Sequence, residues 1–206
     1  MGGPCERGGV RAMTRSTRND EFELRGINHL ALVCRDMQRT VEFYSDVLGM
    51  PLIKTIELPF NMGQHFFFDI GNGDALAFFW FPDAPDPAPG IAAPRTLPTG
   101  GELTTAIGSM NHVAFDVPAD KIDAYLDKLR SKGIDAADIL NHDDSEMGTT
   151  KDVHEGTFVR SIYFFDPDGI LLEFAAWLRP VGGDEDVRHV PARAVVRQPA
   201  NSIPGS

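Results

Sequence analysis

Two stretches of this chain open alike, and that likeness limits the fold more than any other feature. Ile27-Asn28-His29-Leu30-Ala31-Leu32-Val33 and Met110-Asn111-His112-Val113-Ala114-Phe115-Asp116 each set an Asn-His pair at the head of an apolar segment. Both stretches continue in the same manner. Asp36 stands as an N-cap, and Val41, Tyr44, Val47 and Leu48 make a helical stripe that stops at Gly49. In the second half Ile122, Tyr125, Leu126 and Leu129 make the stripe, and it stops at Gly133. Each half then offers a hairpin. Phe66–Ile70 and Ala75–Phe81 flank Gly-Asn-Gly, and Ser161–Phe165 and Ile170–Trp177 flank Asp-Pro-Asp-Gly. A repeat of this kind predicts an α+β protein of two βαβββ modules, their strands forming a curved mixed sheet around a shared cavity.

The modules fall at 25–82 and 108–178. Between them, at 83–107, a segment rich in proline (Pro85, Pro87, Pro89, Pro94, Pro98) excludes a helix or an inner strand and predicts a linker or lid over the cavity. The ends, 1–24 and 179–206, have little to bury and are expected to be loose tails. The 206 residues carry a formal charge of −11, which disfavours nucleic acid and anionic lipid and leaves a small molecule as the partner. The longest apolar run, Ala75–Phe81, is far short of the ~20 residues of a spanning helix, and no secretory h-region is present, so no membrane association and a cytoplasmic location are expected. Cys5 and Cys34 suit neither a disulfide framework nor a cysteine-based zinc site.

Chemistry enters through the repeat. A lone strand histidine is ordinarily a hydrogen-bonded core residue, but His29 and His112 hold equivalent places in equivalent modules. A pseudo-two-fold axis would bring such positions together, with Glu173 of the last strand beside them. Two imidazoles and a carboxylate leave coordination positions open, the facial set that suits Fe(II) and is also compatible with Mn(II), Zn(II), Ni(II) or Co(II). The consecutive aromatics Phe66–Phe68 and Phe78–Phe81 are chiefly core, with alternate rings available to a flat apolar ligand.

These motifs resemble the vicinal oxygen chelate superfamily, which includes glyoxalase I, methylmalonyl-CoA epimerase, bleomycin-resistance proteins and type I extradiol dioxygenases. The resemblance spans roughly 25–178 and rests on Asn28-His29, the Phe43–Gly49 helix, Asn111-His112, and Tyr163-Phe164-Phe165-Asp166-Pro167-Asp168-Gly169 leading to Glu173. It implies one divalent metal on His29, His112 and Glu173. The family's fourth ligand position falls at Ala77 or Phe78, which bear no donor, so the extradiol three-ligand pattern is implied rather than that of glyoxalases. Under that pattern His154 and Tyr163 hydrogen-bond a chelated catecholate, although Asp152 departs from the signature. The acid–base histidine of extradiol enzymes has no counterpart in Phe78–Phe81; His65, sharing a face with Phe67, is the substitute, against a simpler reading as a strand-edge residue. His142 is read as loop, and His189 is assigned nothing. The implied function is ring cleavage of a small aromatic, oxygen-chelating substrate by a homodimer. The alternatives are a glyoxalase- or epimerase-like lyase or isomerase, and a non-catalytic drug-binding protein.

Overall fold

Alternation of apolar and polar residues sets the strands, and one helix in each half covers one face of the sheet that they form. The computed structural model describes Asn19 and residues 21–193; of the expected tails, 1–24 and 179–206, residues 1–18, 20 and 194–206 lie outside the described residues. In the first module strand β1 (His29–Cys34) leads to helix α1 (Met37–Val41), whose N-cap Asp36 accepts the Arg39 amide at 3.1 Å. Helix α1 runs on into a π turn over Glu42–Val47, where the Leu48 amide reaches Phe43 O. The wider turn brings the neighbours Phe43 and Tyr44 into the core together, their rings 5.1 Å apart. Strands β2 (Leu52–Glu57), β3 (Gln64–Gly71) and β4 (Asp74–Trp80) complete a sheet of order β1-β4-β3-β2, in which β1 is parallel to β4. Asn72 and Gly73 both have positive φ, as the two-residue β3–β4 turn requires.

The second module repeats the plan. Strand β5 (Val113–Asp116) is followed by helix α2 (Ile122–Ser131), whose buried stripe is Ile122, Leu126 and Leu129. Each such side chain stabilises the fold by about 1.5–3 kcal/mol. Gly133, at φ 82°, then turns the chain out of the helix. Strands β6 (Leu140–His142), β7 (Thr149–Thr150), β8 (Val159–Phe165) and β9 (Leu171–Trp177) pair in the order β5-β9-β8-β6-β7. His142 is therefore a strand residue, not a loop residue as its Asn-His-Asp-Asp setting suggests.

The helix-bearing faces of both sheets share one core. Cys34, Phe68, Leu76 and Phe78 come from the first sheet and Val113, Phe115, Ile162, Phe164 and Leu172 from the second, with side chains of both helices among them. Polar contacts fix the joint. Tyr44 Oη donates to Asp166 Oδ2 at 3.1 Å, the Arg35 amide donates to Asp168 Oδ2 at 3.0 Å, and Lys132 Nζ caps the carbonyls of Asp46 and Val47. The Asp-Pro-Asp-Gly turn of the second hairpin thus docks against the first module. The connecting segment contains a short 3₁₀ turn, Pro98–Gly100, and a Pro89–Ala93 bridge. Among the described residues no helix is long and apolar enough to cross a membrane.

Candidate metal centre

Strand register shows how far the two halves match. Ala31 pairs with Ala77, and Ala77 with Phe67; Ala114 pairs with Glu173, and Glu173 with Tyr163. Paired residues share a sheet face, so Ala77 is the counterpart of Glu173, Phe67 of Tyr163, and His29 of His112. Both histidines lie on the faces turned away from the joint core. Burial alternates along each strand, leaving His29, Ala31 and Val33 open in β1, and His112, Ala114 and Asp116 open in and just before β5.

Each histidine is oriented in the same way. His29 Nδ1 lies 2.8 Å from Asn28 Oδ1, and His112 Nδ1 lies 2.9 Å from Asn111 Oδ1. With an amide oxygen as acceptor, Nδ1 carries the proton and Nε2 keeps its lone pair, the form in which imidazole binds metals. Asn111 is itself pinned, since its Nδ2 donates to Leu103 O at 2.7 Å, which fixes which end of the amide faces His112. The linker therefore orients His112 through the asparagine beside it.

In the second module two candidate ligand atoms converge. His112 Nε2 lies 2.9 Å from Glu173 Oε2, and the glutamate is 5% exposed. A lone pair facing a carboxylate at that distance is repulsive unless a cation, a proton or a metal ion, lies between them. The donor set thus fits a divalent ion. Burial is the largest influence on Glu173 and works against its ionisation, but His112, Ser161 and Tyr163 together outweigh it and hold the carboxyl below its usual range. Tyr163 stands directly opposite Glu173, and its ring meets His112 edge-on at 5.9 Å. Burial, then the neighbouring Glu173 charge, push the phenol well above its usual range, so it is a neutral donor.

His29 does not join this pair within one chain. Its ring neighbours are His65 at 6.4 Å and Phe67 at 5.5 Å, on its own sheet. Among the described residues no group of three His, Cys, Asp or Glu side chains is arranged to hold a metal ion. The convergence of His29 with His112 that the repeat predicts inside one chain does not occur. Packing through the helix-bearing faces leaves each histidine on the outer face of its own sheet.

The remaining candidates divide. His65 is buried rather than on a strand edge: β3 is an inner strand, Nδ1 donates to Phe78 O at 3.1 Å, and the ring stacks on Phe79 at 3.6 Å. It lies beside His29, on the face expected of it. His154 is held on its own loop. Its Nδ1 accepts the Gly156 amide at 3.0 Å and its Nε2 donates to Asp143 Oδ2 at 3.0 Å. Ser145 and then His154 hold the Asp143 carboxyl below its usual range. Both ring nitrogens of His154 are engaged, and neither is turned to Tyr163 or Glu173, so the hydrogen bond expected from it to a catecholate is not available in this arrangement. Sequence reasoning passes over His142, whose ring lies 6.4 Å from that of Tyr163. The pairing of β6 with β8 is the signal that would find it.

The sequence is similar to those of several known proteins. FosB metallothiol transferase of Shouchella clausii is 31% identical over 149 residues, covering 72% of this chain and 77% of that protein. The putative ring-cleaving dioxygenase MhqE of Bacillus subtilis is 27% identical over 113 residues, and this chain spans only 32% of its length. Glyoxylase I 4 of Arabidopsis thaliana is 28% identical over 155 residues, 74% of this chain and 71% of that protein. Among solved structures, a glyoxalase family protein from Enterococcus faecalis superposes with a TM-score of 0.52 at 24% identity, over 73% of this chain and 97% of that one, a likeness of fold. The family model matches residues 26–174, nearly all of both modules, and the chain belongs to the Glyoxalase/Bleomycin resistance protein/Dioxygenase superfamily.

Proposed function

We propose that this protein is a metal-dependent enzyme acting on a small substrate that offers two vicinal oxygens, and that its reaction is extradiol-type cleavage of a catechol. The metal is held by His112 and Glu173 of one chain and His29 of a second copy, so the working unit is a homodimer. Exposed apolar side chains on the faces concerned support this assembly: Val33 is 50% and Trp177 53% exposed.

The observation that carries the reading is Ala77, standing where the repeat would call for a second carboxylate. Two neutral imidazoles and one carboxylate leave a divalent centre with net positive charge and open positions. When bound, the ion, Fe(II) in this reading, would supply a Lewis acid for two vicinal substrate oxygens. The protein does the rest. Asn28 and Asn111 keep the histidine Nε2 atoms free to bind. Tyr163, neutral and opposite Glu173, donates to an anionic substrate oxygen. Phe67 and His65, flanking His29, wall the first-module side and exclude water. A second reading, metal-dependent thiol transfer, draws on the FosB metallothiol transferase relative, 31% identical to this chain.

The test is anaerobic purification, metal analysis and Fe(II) loading, followed by exposure to O₂ with a catechol panel. O₂ uptake with a yellow ring-opened product is expected. Stoichiometric Fe(II) with no turnover of any catechol would overturn the dioxygenase reading. Thiol addition by the same preparation would move the assignment to the transferase branch.

A further inference from the structure

The ring of His142 is the unpartnered imidazole on the site face. Among the described residues His29, His65, His112 and His154 each have a ring nitrogen within hydrogen-bond distance of a partner, whereas His142 Nε2 is buried with none. Its place is not incidental. His142 pairs with Val159 across β6–β8, which puts it on the sheet face that carries Ser161, Tyr163 and Glu173. Its ring meets that of Tyr163 edge-on, at 81°. Ser161 Oγ, on the same face, has Glu173 and Tyr163 as neighbours, so His142 Nε2 is the buried polar atom there with no protein partner. Such an atom on the face of Glu173 is a cost to folding that a ligand would relieve.

We propose that His142 is a substrate-holding residue, donating from Nε2 to an anionic oxygen of the chelated substrate on the Tyr163 side. The inference rests on the metal-centre reading and extends it to specificity. Substrates with an oxygen substituent or a deprotonated hydroxyl on that side are held by two donors, Tyr163 and His142. Those without one lose the His142 contact. The imidazole replaces, on the second module's side, the substrate hydrogen bond that the engaged His154 does not offer.

The experiment compares wild type with His142→Leu and His142→Gln. Each protein, loaded anaerobically with Fe(II), is titrated with 4-nitrocatechol and followed by its visible spectrum, and metal content and metal-free melting are measured in parallel. His142→Leu is expected to keep its metal, melt no lower than wild type because a buried unsatisfied nitrogen is gone, and bind 4-nitrocatechol about 10–100-fold more weakly. His142→Gln, which keeps a donor, is expected to recover part of the loss. Unchanged affinity in a metal-replete His142→Leu protein would overturn the inference while leaving the metal-centre reading intact. So would a clear drop in melting temperature of both variants with affinity preserved, since that is the signature of a structural imidazole. Wild-type protein that holds Fe(II) but fails to bind 4-nitrocatechol would overturn both.

Discussion

In the first half of the molecule Ala77 stands between Ala31 and Phe67; in the second, Glu173 stands between Ala114 and Tyr163. The strand order, the parallel β1–β4 and β5–β9 pairs and the Asn-His dipeptide are shared. The difference lies in which side chain the shared backbone presents. The first half places alanine and phenylalanine where the second places a buried carboxylate and a phenol. Skeleton and chemistry are separable in this fold. One half offers His29 beside His65 and an aromatic wall, the other His112 and a buried carboxylate beside a phenol, and among the described residues neither half groups three such side chains to hold a metal.

The largest expected effect comes from separating the halves genetically. His29→Ala and Glu173→Ala chains should each lose their metal on their own, because each removes a ligand from every site. Mixed by co-expression, they should form heterodimers with one intact and one doubly damaged site. Such a statistical mixture recovers about a quarter of wild-type metal. A site formed inside one chain would recover none. Metal analysis by plasma emission reads the difference directly.

A smaller effect tests the joint between the halves. Asp166 accepts the amides of Asp168 and Ile170 and the hydroxyl of Tyr44, yet burial pushes its carboxyl up to about 6. A raised carboxyl is protonated longer in the folded state than in the unfolded one. Its stabilising contribution is therefore full below the unfolded value of 3.8 and is lost as pH rises through about 6. That difference amounts to about 3 kcal/mol. Asp166→Asn keeps an acceptor for the two amides and cannot ionise. It should flatten the fall in stability between pH 4 and 6 and raise the pH 7 melting temperature, which urea titrations across that range would measure. The counterpart in the first hairpin is Ile70, which carries no such dependence.

Much of this is open to sequence reasoning because it rests on local rules. The repeat, the Asp36 cap, the α2 stripe and both hairpins come from periodicity and turn chemistry, which act within a few residues. The equivalence of His29 with His112 comes from the repeat alone, whereas the repeat leaves Ala77 or Phe78 as the counterpart of Glu173 and the strand register decides for Ala77. The rest depends on which faces pack. Nothing in the spacing of His29 and His112 says that the helix-bearing faces join, and that joining separates the histidines. His142 and His154 escape sequence reasoning for a related cause. Asn141-His142-Asp143-Asp144 has the composition of a loop, but β8 supplies the ladder partners that make it a strand. The engagement of His154 depends on Asp143, which lies in that same stretch.

The two Asn-His pairs also differ in how firmly each asparagine is held. Asn28 and Asn111 do the same work, but only Asn111 is held in turn, by Leu103 O of the linker. Removing either amide frees its histidine to flip or change tautomer, and changes of this kind lower metal affinity about 10–100-fold. Asn111→Ala should fall at the larger end, since a preset orientation is lost, and Asn28→Ala at the smaller. Competition with a chromophoric chelator would rank them. Equal losses would mean that the linker contact adds nothing.

The smallest expected effect concerns the phenol that the first half lacks. Tyr163→Phe leaves the ring, its packing against His112 and the Glu173 ladder in place, and removes one donor. The hydroxyl is not a metal ligand, so metal content should stay at the wild-type level. kcat/KM should fall by about tenfold, the worth of one charge-assisted hydrogen bond of about 1.5 kcal/mol. The loss should appear in kcat rather than KM if the donor meets its oxygen most strongly as charge builds there during reaction. An equal fall in metal content would instead place Tyr163 among the groups that hold Glu173 in position, and would return the second half to a purely structural resemblance of the first.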